Sequence, residues 1–278
     1  MDLFEAAVSN RPSLEKAFQD LLAGSEQQEA AGIDSFRQRV EAEGRVCMNM
    51  KPSELLKFLA DDVYKNVHRL AEEESAISGR PPDEILREKL HAHYDRRMAY
   101  DGHFEGGREF GYGALTIGGA GCGDYGLYCA VVSDAFWCSP NRVAYLRFDS
   151  LTTEGYWSPR GELNGDALRS DLAPHSHRQF LAALKHAGAV RETAAEGWAL
   201  MLCSSKDYVE ATFQGAPTPG FLQAVRMGRS DHRRVYDSAP DALRKKGMRS
   251  RIDLIEKFVK IQAYLRARGI QFEVVEND

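Results

Sequence analysis

Glu210 is the first candidate for chemistry, because it lies in Asp207-Tyr-Val-Glu-Ala-Thr-Phe213, an alternating run that puts Tyr208, Glu210 and Thr212 on one face of a strand. Such a face either presents a carboxylate and two hydroxyls to a ligand or stands as an exposed polar row. Cys122 is a possible nucleophile if His175 or His177 activates it with an aspartate behind; otherwise it is a small residue in a turn. His91 and His93 make a poor metal pair, since an i, i+2 spacing on a helix points the rings apart, and His175 or Ser176 precedes or caps the next helix. Zinc takes roughly four ligands at close spacing. Cys47, Cys122, Cys129, Cys138 and Cys203 are scattered, odd in number and without a C-x-x-C, so thiols in a reducing, cytoplasmic compartment are expected and a metal site is not.

The segment 226–251 gathers Arg226, Arg229, Arg233, Arg234, Arg244, Lys245, Lys246, Arg249 and Arg251 on a chain whose net charge is −5. That local basic surface either steers an anionic partner, nucleic acid included, or faces water. The overall charge gives no reason to seek nucleic acid or anionic membrane, and neither a signal peptide nor an apolar stretch of membrane-spanning length is visible.

Ten glycines fall between Gly102 and Gly126, and Gly121-Cys-Gly123-Asp-Tyr-Gly126 formally spells G-x-G-x-x-G. A dinucleotide fingerprint needs a helix next, yet the β-branched and aromatic run 127–132 reads as a strand. The segment therefore reads as a glycine-rich hairpin, either a plain turn or a sheet edge that flanks a ligand.

The elements around these residues predict an α+β fold. Residues 13–99 read as helices, with Leu14, Phe18, Leu21 and Leu22 at helical spacing, a cap at Ser53 and a start at Pro81-Pro82-Asp83. Runs 112–117, 127–132 and 143–148 read as strands, 176–186 as a helix ended by Gly188, and 198–203 with 208–213 as an antiparallel hairpin. A long helix over 252–268, closed by Gly269, precedes a last strand at 270–275 that pairs into the sheet. Two unequal parts are expected: a helical region 1–101 and a mainly antiparallel domain 102–278 with a C-terminal helix and strand.

Tyr208-Val-Glu-Ala-Thr-Phe-Gln-Gly215, a strand with a glutamate and then a glycine turn, resembles the last motif of the ADP-ribosyltransferase superfamily. Tyr145-Leu-Arg-Phe-Asp-Ser-Leu-Thr-Thr153 is similar to its hydroxyl cluster, with Ser150, Thr152 and Thr153 closing an aromatic strand. The layout from Tyr112-Gly-Ala-Leu through a Tyr-Gly strand to the late Val-Glu-Ala also resembles a poorly characterised group of bacterial proteins. The resemblance spans roughly residues 95–225. It implies that NAD is consumed as a substrate, by transfer to a protein or nucleic-acid acceptor or by hydrolysis, with Glu210 catalytic and stabilising developing positive charge on the ribose. It further implies that Ser150 and Thr152 hold the ribose or brace Glu210, that Tyr125, Tyr128 or Tyr208 stacks on nicotinamide, and that an arginine clamps the pyrophosphate. The chain departs from the family on its first core strand, where 112–117 carries neither arginine nor histidine. Arg96, Arg97, His103 or Arg147 would have to serve instead. The resemblance makes a toxin or effector role conceivable; the alternative is a non-catalytic interaction module that binds an anionic partner through 226–251 with Glu210 exposed and inert.

Overall fold

The computed structural model describes residues 1–137, 142–205, 207–236 and 249–276. Its strands are β1 (Arg45–Met50), β2 (Phe110–Thr116), β3 (Tyr128–Val132), β4 (Val143–Leu146), β5 (Leu172–Pro174), β6 (Glu210–Gln214), β7 (Leu222–Gly228) and β8 (Gln271–Val275). They form one eight-stranded sheet in the order β5-β4-β6-β2-β1-β3-β7-β8. Neighbours pair antiparallel except β7 and β8, which run parallel. The α+β class follows directly, and the expected terminal strand does join the sheet. Its preceding helix, Arg249–Ala267, ends as anticipated: Gly269 takes φ +66°, and the Ile270 N–H reaches back to the Leu265 carbonyl at 2.9 Å.

Helix does not fill residues 13–99. Val46, Met48 and Met50 occupy every second position of β1 and bury on one face, so a two-residue period interrupts the helical pattern. Because β1 pairs with β2 on one side and β3 on the other, the N-terminal region supplies a strand to the middle of the sheet.

This placement also removes the expected glycine-rich hairpin, since β2 and β3 are not neighbours. The connection between them crosses the end of β1 and is tied down there by Asn49. The Asn49 side chain accepts from the Cys122 N–H at 2.8 Å and donates to the Ala120 and Gly126 carbonyls at 3.0 Å each. Gly121 has φ +72° and Gly126 lies so near β1 that an added Cβ would fall 2.1 Å from the Met50 carbonyl carbon. At these two positions glycine answers a real backbone demand.

Two further expectations fail for local reasons. Residues 198–202 form a helix, Trp198–Leu202, because Trp198 and Leu202 bury four positions apart while Leu200 points outward. Only a Cys203–Tyr208 bridge remains of the expected hairpin, and β6 pairs with β2 and β4 instead. The helix at Arg178–Glu192 runs past Gly188, which stands in open space while Ala187 and Val190 continue the buried stripe.

The sheet separates two environments. Ala211 and Phe213 of β6, with Val46, Met48, Leu115, Ala130 and Tyr145, face the main core under helices Arg11–Ala23, Gln27–Glu43, Pro52–Asp61 and Arg178–Glu192. The opposite face carries a smaller aromatic core around Tyr100, Phe104, Phe110 and Trp157 and a cluster of Cys47, Cys122, Cys129 and Cys203. Among the described residues no helix is long and apolar enough to cross a membrane.

Candidate functional site

Strand alternation puts Glu210 and Thr212 on one face, as the sequence reading expected, and that face lies opposite the main core. Glu210 lies across from Ala114 of β2 and Leu146 of β4. Gly113 and Ala114 are small, and the space above them belongs to a cavity of about 560 Å³ whose wall includes Glu210, Tyr208, Tyr125, Tyr112, Arg97, Asp149 and Thr152. Its size suits a small-molecule ligand.

The Glu210 carboxylate is buried, at 4% exposure. Its Oε2 accepts from the Ser150 backbone N–H at 2.8 Å. Burial, together with the nearby charge of Asp149, pushes Glu210 up from 4.5 to about 7, against the opposing pull of Arg97 and the Ser150 N–H. Its proton is therefore exchangeable near neutral pH.

A short loop after β4 brings Ser150 to Glu210. Asp149 organises it by accepting from the backbone N–H groups of Leu151 at 2.7 Å and Thr152 at 2.8 Å, an Asx turn. Arg96 donates to the Leu151 carbonyl at 2.7 Å and the Trp157 indole N–H to the Ser150 carbonyl at 2.9 Å, so the loop is held from outside as well. Asp149 also receives the Tyr208 hydroxyl, which lies 2.9 Å from that of Tyr125. Burial alone would raise Asp149, yet the Tyr208 hydroxyl and the two N–H groups hold it below its ordinary value. Two carboxylates of one cavity are thus pushed apart in acidity, Glu210 upward and Asp149 downward.

Arg97 brings positive charge to the cavity from helix Tyr94–His103. Its guanidinium lies 3.6 Å from the centre of the Tyr112 ring and its Nη1 is 3.5 Å from Asp101 Oδ1. Burial would lower its affinity for a proton, but Tyr112, Asp101 and Glu210 raise it, and the group stays charged. Asp101 is itself positioned by the Tyr112 hydroxyl and by His68 Nε2 at 2.7 Å. Apart from that ion-pair contact with Asp101, Arg97 Nη1 is buried without a hydrogen-bond partner. Such atoms normally find one, and on a cavity wall a ligand can supply it.

Of the residues singled out in the sequence, Glu210, Arg97, Thr152, Tyr125 and Tyr208 line this cavity, whereas Ser150 is fully buried off its wall and acts on it only through its bond to Glu210. Arg147 does not: it pairs with Asp171 at 3.5 Å and lies against Phe148. Tyr128 turns into the main core. Arg96 serves the loop, and His103 packs on Phe104. The proposed activators of Cys122 are engaged elsewhere, His175 with Tyr145 at 3.0 Å and His177 with Glu15 at 2.9 Å. No group of side chains among the described residues could hold a metal ion. His91 and His93 lie on the cavity wall, and His91 adopts φ +46°, ψ −123°, an unusual conformation for a non-glycine residue.

Asp149, Tyr112, Asp101 and His68 were not anticipated from sequence. Asp149 carried a readable signal, since an aspartate just after a strand can accept from the backbone N–H groups that follow it. The interaction-module alternative needs an exposed Glu210, and the side chain is buried. Within the basic segment Arg226 pairs with Glu273, Arg229 with Glu276 and Arg234 with Asp231. Arg244, Lys245, Lys246 and the side chains of Arg249 and Arg251 lie outside the described residues, as does Cys138. Comparison with protein-family models, curated proteins and solved structures finds no match to this chain.

Proposed function

We propose that the cavity binds NAD and that Glu210 assists cleavage of its bond between nicotinamide and ribose, with the ADP-ribosyl group passing to a macromolecular acceptor or to water. The observation that carries this reading is a carboxylate buried on a cavity wall, fixed by a backbone N–H and sharing the cavity with a charged arginine. As the bond lengthens, positive charge grows on the ribose and nicotinamide leaves as a neutral molecule. An ionised Glu210 already in place stabilises that charge without reorganising. Nη1 of Arg97, ion-paired with Asp101 but without a hydrogen bond, suits a pyrophosphate oxygen. Tyr125, exposed at the cavity wall, offers a face for stacking, while Tyr208 is held to Asp149 and shapes the site around Glu210.

The experiment is NAD consumption and label transfer into a lysate, measured for the wild type and Glu210→Gln. Loss in the wild type and its near-abolition in the variant support the reading. Equal behaviour of the two proteins sinks it. NAD that fails to raise the melting temperature at any concentration also counts against binding.

A further inference from the structure

We infer that Cys122 and Cys203 form a redox-modification site, closing a reversible disulfide when a hydroperoxide enters the cavity. Their sulfurs are already 3.5 Å apart, and closure requires contraction to about 2 Å. The two residues are distant in sequence and are brought together by different elements. Asn49 fixes the Cys122 backbone, while Cys203 follows helix Trp198–Leu202 and bridges to Tyr208. Both cysteines are buried, at 3% and 1% exposure, but Cys122 is on the cavity wall, where a small oxidant can approach it, and Cys203 is not, which makes Cys203 the resolving partner.

The step balances with the peroxide as the two-electron oxidant. With hydrogen peroxide, the Cys122 sulfur attacks one peroxide oxygen, the O–O bond breaks, and one water leaves with Cys122 as a sulfenic acid. The Cys203 sulfur then displaces that hydroxyl as a second water, and the S–S bond forms. Both thiol protons end in the waters.

The bond would staple the two segments that carry the cavity tyrosines. Tyr125 follows Cys122 in the same turn, its N–H donating to the Cys122 carbonyl at 3.1 Å. Tyr208 is the bridge partner of Cys203, and both hydroxyls converge on Asp149. This chemistry is independent of the reaction proposed above, and so is its test.

The native protein in a Cys138→Ser background, which removes the cysteine outside the described residues, is treated with hydrogen peroxide and mapped by peptide mass spectrometry. The expected result is loss of two hydrogens per molecule, a linked peptide pair containing Cys122 and Cys203, and full reversal by dithiothreitol. Amide exchange should slow at least tenfold across 122–126 and at 203–205 and 207–208 in the oxidised form. Cys203→Ser should instead stop at oxidation of Cys122 alone. A Cys47–Cys129 bond in place of the expected one, no bond under native conditions, or unchanged exchange in both segments would overturn the proposal. Because the wild-type cysteine pair is mapped directly, a variant that fails to fold leaves the test standing.

Discussion

On one face of β6, Ala211 and Phe213 are buried among aliphatic and aromatic side chains; on the other, Glu210 and Thr212 are buried to the same degree beside hydroxyls, a carboxylate and a guanidinium. Equal burial has opposite energetic meaning on the two faces. Removing Phe213 from water stabilises the fold. Removing the Glu210 carboxylate from water disfavours its charged form, which the raised acidity constant records. The polar face is therefore held in place by its neighbours, and it opens on a cavity.

The largest test of this contrast is on the apolar side. Phe213→Ala should destabilise the protein by ~3–5 kcal/mol, read as a lower urea midpoint, because the ring fills space beside Gly111 and Trp137 that a methyl cannot. A cost no larger than that of Glu210→Gln would break the contrast. On the polar side, Glu210→Gln should lower NAD turnover by about 10²–10³-fold, the scale for losing one preorganised electrostatic group, while leaving the urea midpoint at pH 7 equal or higher.

The same residue predicts a pH dependence with a definite sign. Its folded value of about 7 lies above the ordinary 4.5, so the folded chain holds the proton more tightly and stability falls as pH rises between those values. The full loss is at most about 3 kcal/mol above pH 7, and it should be absent from the Glu210→Gln curve, so that the wild-type-minus-variant difference isolates it. If the ionised form is the active one, turnover should rise over the same interval. A smaller effect is expected from Tyr208→Phe, which removes one hydroxyl from Asp149 and should cost about 1 kcal/mol at pH 6. Asp149 is held below 3.8, so that difference should shrink as the pH falls through this value and the carboxylate protonates. Melting curves of the two proteins across pH 3 to 6 read it directly.

What was legible in the sequence was what a local period encodes. The shared face of Tyr208, Glu210 and Thr212 follows from alternation alone, and the apolar and aromatic runs 112–117 and 127–132 marked the strands found at 110–116 and 128–132. The central position of β1 was hidden because Cys47 and Asn49 interrupt its apolar residues and long helices flank it. Convergence depends on strand order, which no local pattern specifies. Arg97 and Arg147 were equal candidates in sequence; helix Tyr94–His103 delivers the first to the cavity, whereas Asp171 draws the second away. Asp149 stood inside the hydroxyl-rich motif, yet its value lay in backbone N–H groups rather than in the side chains around it.

The position of β1 between β2 and β3 carries a consequence for synthesis. Residues 45–50 leave the ribosome with both hydrogen-bonding edges open, and their partners at 110–116 and 128–132 follow only after a run of helices. During that interval the nascent chain exposes an apolar strand with nothing to pair with, the kind of surface that chaperones bind and that seeds aggregation. The cavity, whose wall includes Cys47 and Asn49, takes shape only when the late residue Glu210 joins a sheet whose centre was made first.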